Sequence, residues 1–433
     1  MFISVDLGNS FIAMMAAEPQ ADGTFKIIAV EREETPIDSI QNGIVRKPSE
    51  IASTISRLIK QMENRLENKL GNKYEIKNFY TAVNGRSLRS IRGTAFHPFS
   101  VATEIGAAEL NDLRREALEK FDSNRHIYSI SNEEYLIDSD YVRNPLNIVC
   151  REIHANYLVT TGRHDIRENL DKCFDRIAIA DVYSDALAPI AMADALLSDD
   201  DRINGVIHIN FGATTTTVTL YYDNYLRHLA VIPFGGKHIT SDLCTSLEIT
   251  PNEAELVKKQ KGTPIIENAK GRQISLPIKP GIEPRKLQLE AVSEIIEARL
   301  AEIINLAMSE VERSGFISDI KNGIVVSGAA ARMTDFNEYV AAYTNMSVRT
   351  GSLSHLVDGE YPDTTIEYPL LIGLLIHAEE PSVVEKPKET ETSTQREETL
   401  QPKGGKKTTW FERFKQGSLF DGFDGPDGAT IQD

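Results

Sequence analysis

Apolar positions along this chain follow two periods in turn. Phe2–Leu7 is a short apolar run with a β-branched bias, broken by the turn Gly8-Asn9-Ser10. Two more strand-like runs follow, Phe11–Ala17 and Phe25–Glu31, split by Ala21-Asp22-Gly23. The period then lengthens: after Pro48-Ser49, residues Ile51, Ile55, Leu58, Ile59, Met62, Leu66 and Leu70 share one helical face. The same order returns in the second half. Val206–Asn210 reads as a strand, Phe211–Thr216 as a turn, and Val218–Tyr222 and Tyr225–Ile232 as strands on either side of Asp223-Asn224. A second long helix, Lys286–Ser314, carries Leu289, Val292, Ile296, Leu300, Ile303, Ala307 and Val311, and stops at Gly315. Gly323–Ser327 predicts a strand that turns through Gly328-Ala329-Ala330 into another helix. The pattern is an internal duplication with a period of about 200 residues, far longer than the roughly 20–50 of a stacked array. Two such copies facing each other form a cleft, with one strand–turn from each pointing into it.

Composition narrows the classes. In 433 residues, 41% hydrophobic and 26% charged, there is enough apolar material for sizeable cores. The net charge of −17 argues against a nucleic-acid partner, which needs a basic surface to displace counterions from phosphates. Cys150, Cys173 and Cys244 stand far apart with no CxxC, which excludes a cysteine zinc site and fits a reducing compartment. No signal-peptide pattern is visible at Met1-Phe2-Ile3-Ser4-Val5-Asp6. The composition shifts near Ala378: 379–407 is rich in Glu, Lys, Thr, Pro and Gln and predicts a solvated linker. Beyond it, Thr409 and Glu412 form a capping box, opening a helix with Trp410, Phe411 and Phe414 on one face. Lys406, Lys407, Arg413 and Lys415 flank that face. Aromatics beside cations suit an anionic membrane surface, although a helix docking on the body has the same pattern. Leu419, Phe420 and Phe423 follow among aspartates in a tail ending at Asp433.

Four turns are candidates for holding phosphates. Asp6-Leu7-Gly8-Asn9-Ser10 puts a carboxylate at a strand end, then a small residue that lets backbone N–H groups approach an anion. Asn9 and Ser10 add side-chain donors, and Asp6 can hold a hydrated magnesium ion. Asn210-Phe211-Gly212-Ala213-Thr214-Thr215 is its counterpart in the second copy. The third is Pro233-Phe234-Gly235-Gly236-Lys237, and the fourth is Ser327-Gly328-Ala329-Ala330-Ala331, where a flat ring can lie on the backbone. Each alone also reads as an ordinary hairpin or β-turn; their order on a duplicated frame makes the set more specific.

With these motifs the chain resembles the actin-like ATP-binding superfamily, and within it most closely the bacterial cell-division FtsA family. The first two turns are similar to the superfamily's phosphate-1 and phosphate-2 loops, and Gly328-Ala329-Ala330 to its adenosine motif. Leu226–Leu243 matches the stretch after phosphate-2, and Ala254-Glu255-Leu256-Val257-Lys258 the helix whose Glu255 and Lys258 flank the nucleoside. Glu134-Tyr135-Leu136-Ile137-Asp138 with Asn144-Pro145 is specific to FtsA. The resemblance implies an α/β, actin-like duplicated ATPase core of two lobes around a nucleotide cleft. It implies lobe one at 1–79 and 163–204, an inserted FtsA-type α+β subdomain at 80–162, and lobe two at 205–378 with a helical subdomain at about 245–315. A linker at 379–407, an amphipathic membrane-targeting helix at 408–423 and an acidic tail at 424–433 complete the chain.

For function, the resemblance implies an adaptor that binds ATP and magnesium, assembles into protofilaments and holds FtsZ to the cytoplasmic membrane face at the septum. Arg285 and Arg299 match the basic positions that bind the acidic C-terminal peptide of FtsZ, although solvated helix arginines read the same way. Other division proteins would meet the inserted subdomain. The phosphate-2 loop departs from the family: Asn210 stands where the pattern has Asp, and Ala213 and Thr214 where it is Gly-rich. Ala188 occupies the aligned place of a water-positioning side chain. Both departures favour nucleotide binding over turnover. The rivals are a sugar-kinase-like phosphotransferase, for which no catalytic carboxylate or sugar pocket can be assigned, and an actin-like pilus-assembly scaffold.

Overall fold

In the first sheet the strand Phe2–Leu7 runs antiparallel to Phe11–Pro19, which in turn pairs antiparallel with Phe25–Glu34. On its other side Phe2–Leu7 runs parallel to Asn78–Val83, and that strand parallel to Asp181–Leu187. A second sheet repeats this scheme. Val206–Phe211 is antiparallel to Thr216–Tyr222, which is antiparallel to Tyr225–Ile232, while Val206–Phe211, Ile324–Ser327 and Val348–Thr350 are mutually parallel neighbours. The hairpins form because short polar turns interrupt apolar runs; the parallel pairs need the helical crossovers between them. This is the actin-like fold, in a computed structural model that describes residues 1–121, 124–276, 285–358 and 368–385.

Each sheet is covered by one long helix. Pro48–Leu70 buries Ile51, Ile55, Leu58, Met62 and Leu66, and ends where Gly71 turns left-handed, at φ 82°, and donates its N–H to the Glu67 carbonyl. Leu289–Ser314 buries Val292, Ile296, Leu300, Ile303, Ala307 and Val311 in the second core and stops at Gly315 in the same way. It begins later than the sequence pattern indicates. Arg285–Gln288 is instead a strand paired with Gln273–Leu276, because Leu287 points inward while its neighbours stay exposed, a period of two rather than 3.6.

The inserted subdomain comprises strands Arg89–Glu104, His126–Ile137, Asp140–Val142 and Val149–Gly162 and the helix Ala107–Glu119. Its sheet continues that of lobe two, through the pairing of Ala230 with Arg89. The expected boundary at residue 80 falls inside Asn78–Val83, a lobe-one strand, so the insertion begins after that strand. Glu134, in the FtsA-like motif, pairs with Arg227 of lobe two, and Asp138 accepts the backbone N–H groups of Arg151 and Glu152.

Two buried helices pack against each other: Ala188–Leu196, apolar except for Asp194, which pairs with Arg202 and His377, and Pro369–Ile376, apolar throughout. Their backbones approach so closely that a methyl group on Gly373 would stand 1.8 Å from the Ala191 carbonyl oxygen. The expected linker boundary at 378 is also too early. Glu380 accepts a hydrogen bond from the Tyr80 hydroxyl at its carbonyl and one from Tyr183 at its carboxylate, and Val383–Glu385 pairs with Tyr74–Ile76. A polar segment docks here because an open sheet edge supplies backbone partners that need no apolar side chains. The chain divides into two units, 1–387 and 388–433. The predicted anchor residues Lys406, Lys407, Trp410, Phe411, Arg413, Phe414 and Lys415 lie outside the described residues, as do those of the acidic tail.

Candidate functional site: the cleft between the lobes

The two strand–turns are equivalent in register. Asp6 pairs with Ala13 and Leu7 with Ile12; in lobe two Asn210 pairs with Thr217 and Phe211 with Thr216. Each carries a polar residue one place before the strand end and a glycine just after it. At Gly8 a side chain is excluded, since a β-carbon would come within 2.6 Å of the Phe11 carbonyl oxygen. Thr35 braces the turn from behind, its hydroxyl donating to the Gly8 carbonyl at 2.6 Å. Asp6 is half-buried below it, and burial pushes its carboxyl up to about 6. A carboxylate held this way is stabilised by a cation or its hydration shell.

Asn9 departs from its expected role. Its amide nitrogen donates to the Ile40 carbonyl at 2.9 Å and its amide oxygen accepts from Gly43 N at 3.1 Å. The side chain therefore anchors the neighbouring loop rather than offering a phosphate donor. Ser10 stays half-buried on the turn.

In lobe two the phosphate-2-like turn is closed by Gly212 N donating to the Thr215 carbonyl at 2.9 Å. The Gly235-Gly236-Lys237 segment folds onto it: Gly236 N donates to the Gly212 carbonyl and Lys237 N to the Ala213 carbonyl, at 2.9 and 2.7 Å. The Thr214 hydroxyl is buried and has no hydrogen-bond partner among the described residues, a state that costs about 1–3 kcal/mol unless a ligand satisfies it. Lys237 reaches across the cleft, its ammonium donating to the Asn9 carbonyl at 2.9 Å. A cavity of about 390 Å³ opens here, lined by Asn9, Thr35, Asp38 and Asn42 of lobe one and Thr214 and Lys237 of lobe two.

Gly328 is fixed by two constraints. Its φ is +92°, and a β-carbon would lie 2.4 Å from the Phe211 carbonyl oxygen and 2.7 Å from Asn210 Oδ1. Ala329 and Ala330 follow in a tight 3₁₀ turn, with Ala330 against Gly236. Below this floor Lys258 is buried, and its ammonium donates to the Gly236 carbonyl, Thr240 Oγ1 and Glu255 Oε2 at 2.9, 2.7 and 2.6 Å. Burial draws the Lys258 ammonium below its usual range. For Glu255 the cost of burial is outweighed by the Lys258 hydrogen bond, and its carboxyl falls below its usual range. These two side chains thus lock the glycine turn from beneath.

The sequence reading missed His208. It is fully buried, with Nε2 2.8 Å from Ser327 Oγ and Nδ1 3.4 Å from Thr219 Oγ1, and Ser327 Oγ donates to Asn210 Oδ1 at 3.1 Å. Burial, reinforced by the Arg202 charge, pushes its pKa down to about 3, so the ring is neutral. A polar residue inside an apolar strand, Val206–Phe211, was the available signal.

Arg285 and Arg299 sit apart from the cleft. Arg285 lies on the short hairpin strand and donates to the Glu248 and Leu247 carbonyls at the end of the helix Gly236–Leu247. Arg299 grips Asp242 with two hydrogen bonds, 2.6 and 3.1 Å, pairs with Glu302 and stacks over Phe234. It is part of the subdomain's own framework rather than a solvated helix arginine. Ala188 is fully buried at the start of its helix.

The chain is similar to known cell-division proteins. The family model described as "Cell division protein FtsA" matches residues 207–367. The cell-division protein FtsA of Pseudomonas aeruginosa is 25% identical over 355 residues, covering 81% of this chain and 82% of the relative. That of Neisseria meningitidis is 27% identical over 385 residues, with 86% and 89% covered. The chain is thus similar to FtsA proteins along most of its length. Its fold is actin-like, and the similarity to these cell-division proteins covers 81–86% of the chain. Among solved structures, a chain of a PilM–PilN type IV pilus biogenesis complex superposes with a TM-score of 0.60 at 13% identity, covering 87% of this chain and 98% of that one. That likeness concerns the fold.

Proposed function

We propose that this FtsA-like chain binds ATP in the cleft, assembles with copies of itself into protofilaments and tethers FtsZ to the cytoplasmic face of the membrane at the division septum. The observation that carries the nucleotide part is the facing pair of equivalent turns: the desolvated Asp6 carboxyl on one side and the unpartnered Thr214 hydroxyl on the other. Both are groups whose burial is unfavourable until a charged, polar ligand arrives. The backbone turns at Gly8–Ser10 and Gly212–Thr215 would hold the phosphates, and Gly328-Ala329-Ala330 the adenosine, over the Glu255–Lys258 lock. Magnesium, held through water by Asp6, would supply charge neutralisation on the phosphates.

FtsZ and lipid binding rest on the likeness to FtsA proteins and on the sequence of the terminal segment. Arg285, exposed and bonded to two carbonyls, is the position where an acidic peptide would find a cation. Arg299 would contribute only by exchanging Asp242 for the peptide. Among the described residues no helix is long and apolar enough to cross a membrane. Attachment is therefore assigned to the Trp410, Phe411 and Phe414 face, with avidity from filament formation multiplying a weak single anchor. Co-sedimentation with anionic liposomes, with and without an FtsZ tail peptide, tests the whole reading. Binding of the peptide to liposomes only through this protein is expected; a protein that stays in the supernatant under all conditions overturns the tether.

A further inference from the structure

Lys237 is a cation where the local structure gives no reason for one. It is the second residue of the helix Gly236–Leu247, whose first turn contains no acid. A helix start carries partial positive charge from its free N–H groups, so a lysine there is disfavoured and an anion favoured. Among the described residues no carboxylate pairs with Lys237, and its ammonium donates instead to a neutral carbonyl, that of Asn9. Its neighbour Lys258 differs in being neutralised by Glu255. Two contacts aim the Lys237 side chain. Its backbone N–H donates to the Ala213 carbonyl at 2.7 Å, pinning it to the phosphate-2-like turn, while Asn9 belongs to the phosphate-1-like turn of the other lobe. The ammonium therefore stands between the two turns, in the cavity of about 390 Å³ that Thr214 also lines. No residue of Gly328-Ala329-Ala330, and neither Glu255 nor Lys258, lines that cavity. A nucleotide whose adenosine lies on the Gly328 turn reaches it with the far end of its phosphate chain.

We propose that Lys237 is the residue by which the cleft distinguishes a nucleoside triphosphate from a diphosphate: its ammonium turns from the Asn9 carbonyl to the terminal phosphate. This rests on the nucleotide reading above and adds to it the group that reads the third phosphate. Hydrogen bonds between charged groups are roughly twice as strong as neutral ones, so a phosphate within reach outcompetes the carbonyl. A diphosphate ends short of the ammonium and leaves the bond between the lobes in place. Lysine suits this task because a flexible stem carries a point charge with three donors, which changes partner without moving the backbone. The Thr214 hydroxyl, lacking a partner, is a neutral donor in the same cavity. Magnesium fits the same arrangement: Asp6 would hold it on the lobe-one side, while Lys237 approaches from lobe two. The two cations would then share the charge of the triphosphate.

The test is calorimetric titration of the full-length chain, in excess magnesium, with ADP and with a non-hydrolysable ATP analogue, for wild type, Lys237→Met and Lys237→Glu. Methionine keeps much of the stem and removes the charge; glutamate reverses it. Both substitutions take a cation away from a helix start, so thermal melts of the nucleotide-free variants should lie no lower than wild type. Wild type should prefer the triphosphate. In Lys237→Met the triphosphate should lose at least about tenfold more affinity than ADP does, as expected for one hydrogen bond between charged groups, and in Lys237→Glu the gap should widen. Equal losses for the two nucleotides would assign Lys237 to the framework. That result, or a wild type that binds both nucleotides alike, overturns the inference and leaves nucleotide binding intact. A wild type that binds neither nucleotide overturns the nucleotide reading itself, and this inference with it.

Discussion

Two titratable groups on equivalent strands, the half-buried Asp6 and the buried His208, act on stability in opposite senses. Burial raises the Asp6 carboxyl from the ordinary carboxylate range to about 6, so the folded state holds its proton longer than the unfolded one. The resulting cost is absent below the unfolded value, grows through pH 4–6 and is complete above it, at roughly 3 kcal/mol for a shift of this size. Asp6→Asn should therefore stabilise the nucleotide-free protein at neutral pH while weakening magnesium–ATP binding. Urea melts from pH 3.5 to 8 check this: the difference between variant and wild type should be near zero at about pH 4 and reach its full value above about pH 6. A constant difference across that range would mean that ionisation of Asp6 is not its source. His208, depressed from 6.5 to about 3, works the other way. The unfolded state takes up the proton first as pH falls, so stability is lost below pH 6.5 at up to about 1.4 kcal/mol per pH unit. His208→Gln should flatten the acid limb of the stability profile between pH 6 and 4.

At the level of elements, the crossing of Ala188–Leu196 with Pro369–Ile376 is the tightest backbone approach at a glycine in the structure's described part. Both helices are apolar on nearly every side, as befits helices buried in the core of the first sheet with Phe2, Met15 and Tyr80. Gly373→Ala forces them apart or bends one, an overpacking cost of about 1–3 kcal/mol. Chemical denaturation should show a lower midpoint with an unchanged slope; an unchanged midpoint would mean that the crossing is loose. Gly328 is a poor probe of the adenosine site by comparison, because any side chain there collides with the Phe211 and Asn210 strand end and damages the lobe. Arg299 is similarly unsuited to testing FtsZ binding by itself. Charge reversal would leave Asp242, its bidentate partner, facing a like charge, and loss of peptide binding could then follow from a disturbed subdomain. Arg285→Glu is the cleaner variant. It should weaken FtsZ-tail binding, by about tenfold for one charge-assisted contact, with ATP affinity unchanged.

For the whole molecule, the position of the body's end matters. Truncation after Pro387 keeps Glu380 on Tyr80 and Tyr183 and keeps Val383–Glu385 on Tyr74–Ile76; truncation after Ala378 removes them all. The longer form should melt like the full chain and bind ATP equally but fail to pellet with anionic liposomes. The shorter form should melt lower. Co-sedimentation of the longer form at wild-type levels would remove the terminal segment from membrane attachment. In the full chain, raising salt should reduce pelleting, since the contribution of Lys406, Lys407, Arg413 and Lys415 is screened over a Debye length of about 8–10 Å near physiological ionic strength.

The duplication, the long helices and the glycine turns were legible in the sequence because they are local. Alternating apolar residues and a turn residue define Phe2–Leu7 and its hairpin, and a 3.6-residue period defines Pro48–Leu70, whatever surrounds them. The equivalence of Asp6 and Asn210 is likewise a matter of spacing before Gly8 and Gly212. Tertiary structure decided which polar atoms meet. His208 and Ser327 are separated by 119 residues, Lys237 and Asn9 by 228, and Glu380 and Tyr80 by 300. No periodicity encodes such partners, because hydrogen bonds are short and directional and depend on where two sheets place their edges. Hence the turns themselves follow from the chain, whereas the inward Lys258, the occupied Asn9 amide and the framework role of Arg299 follow only from the folded lobes.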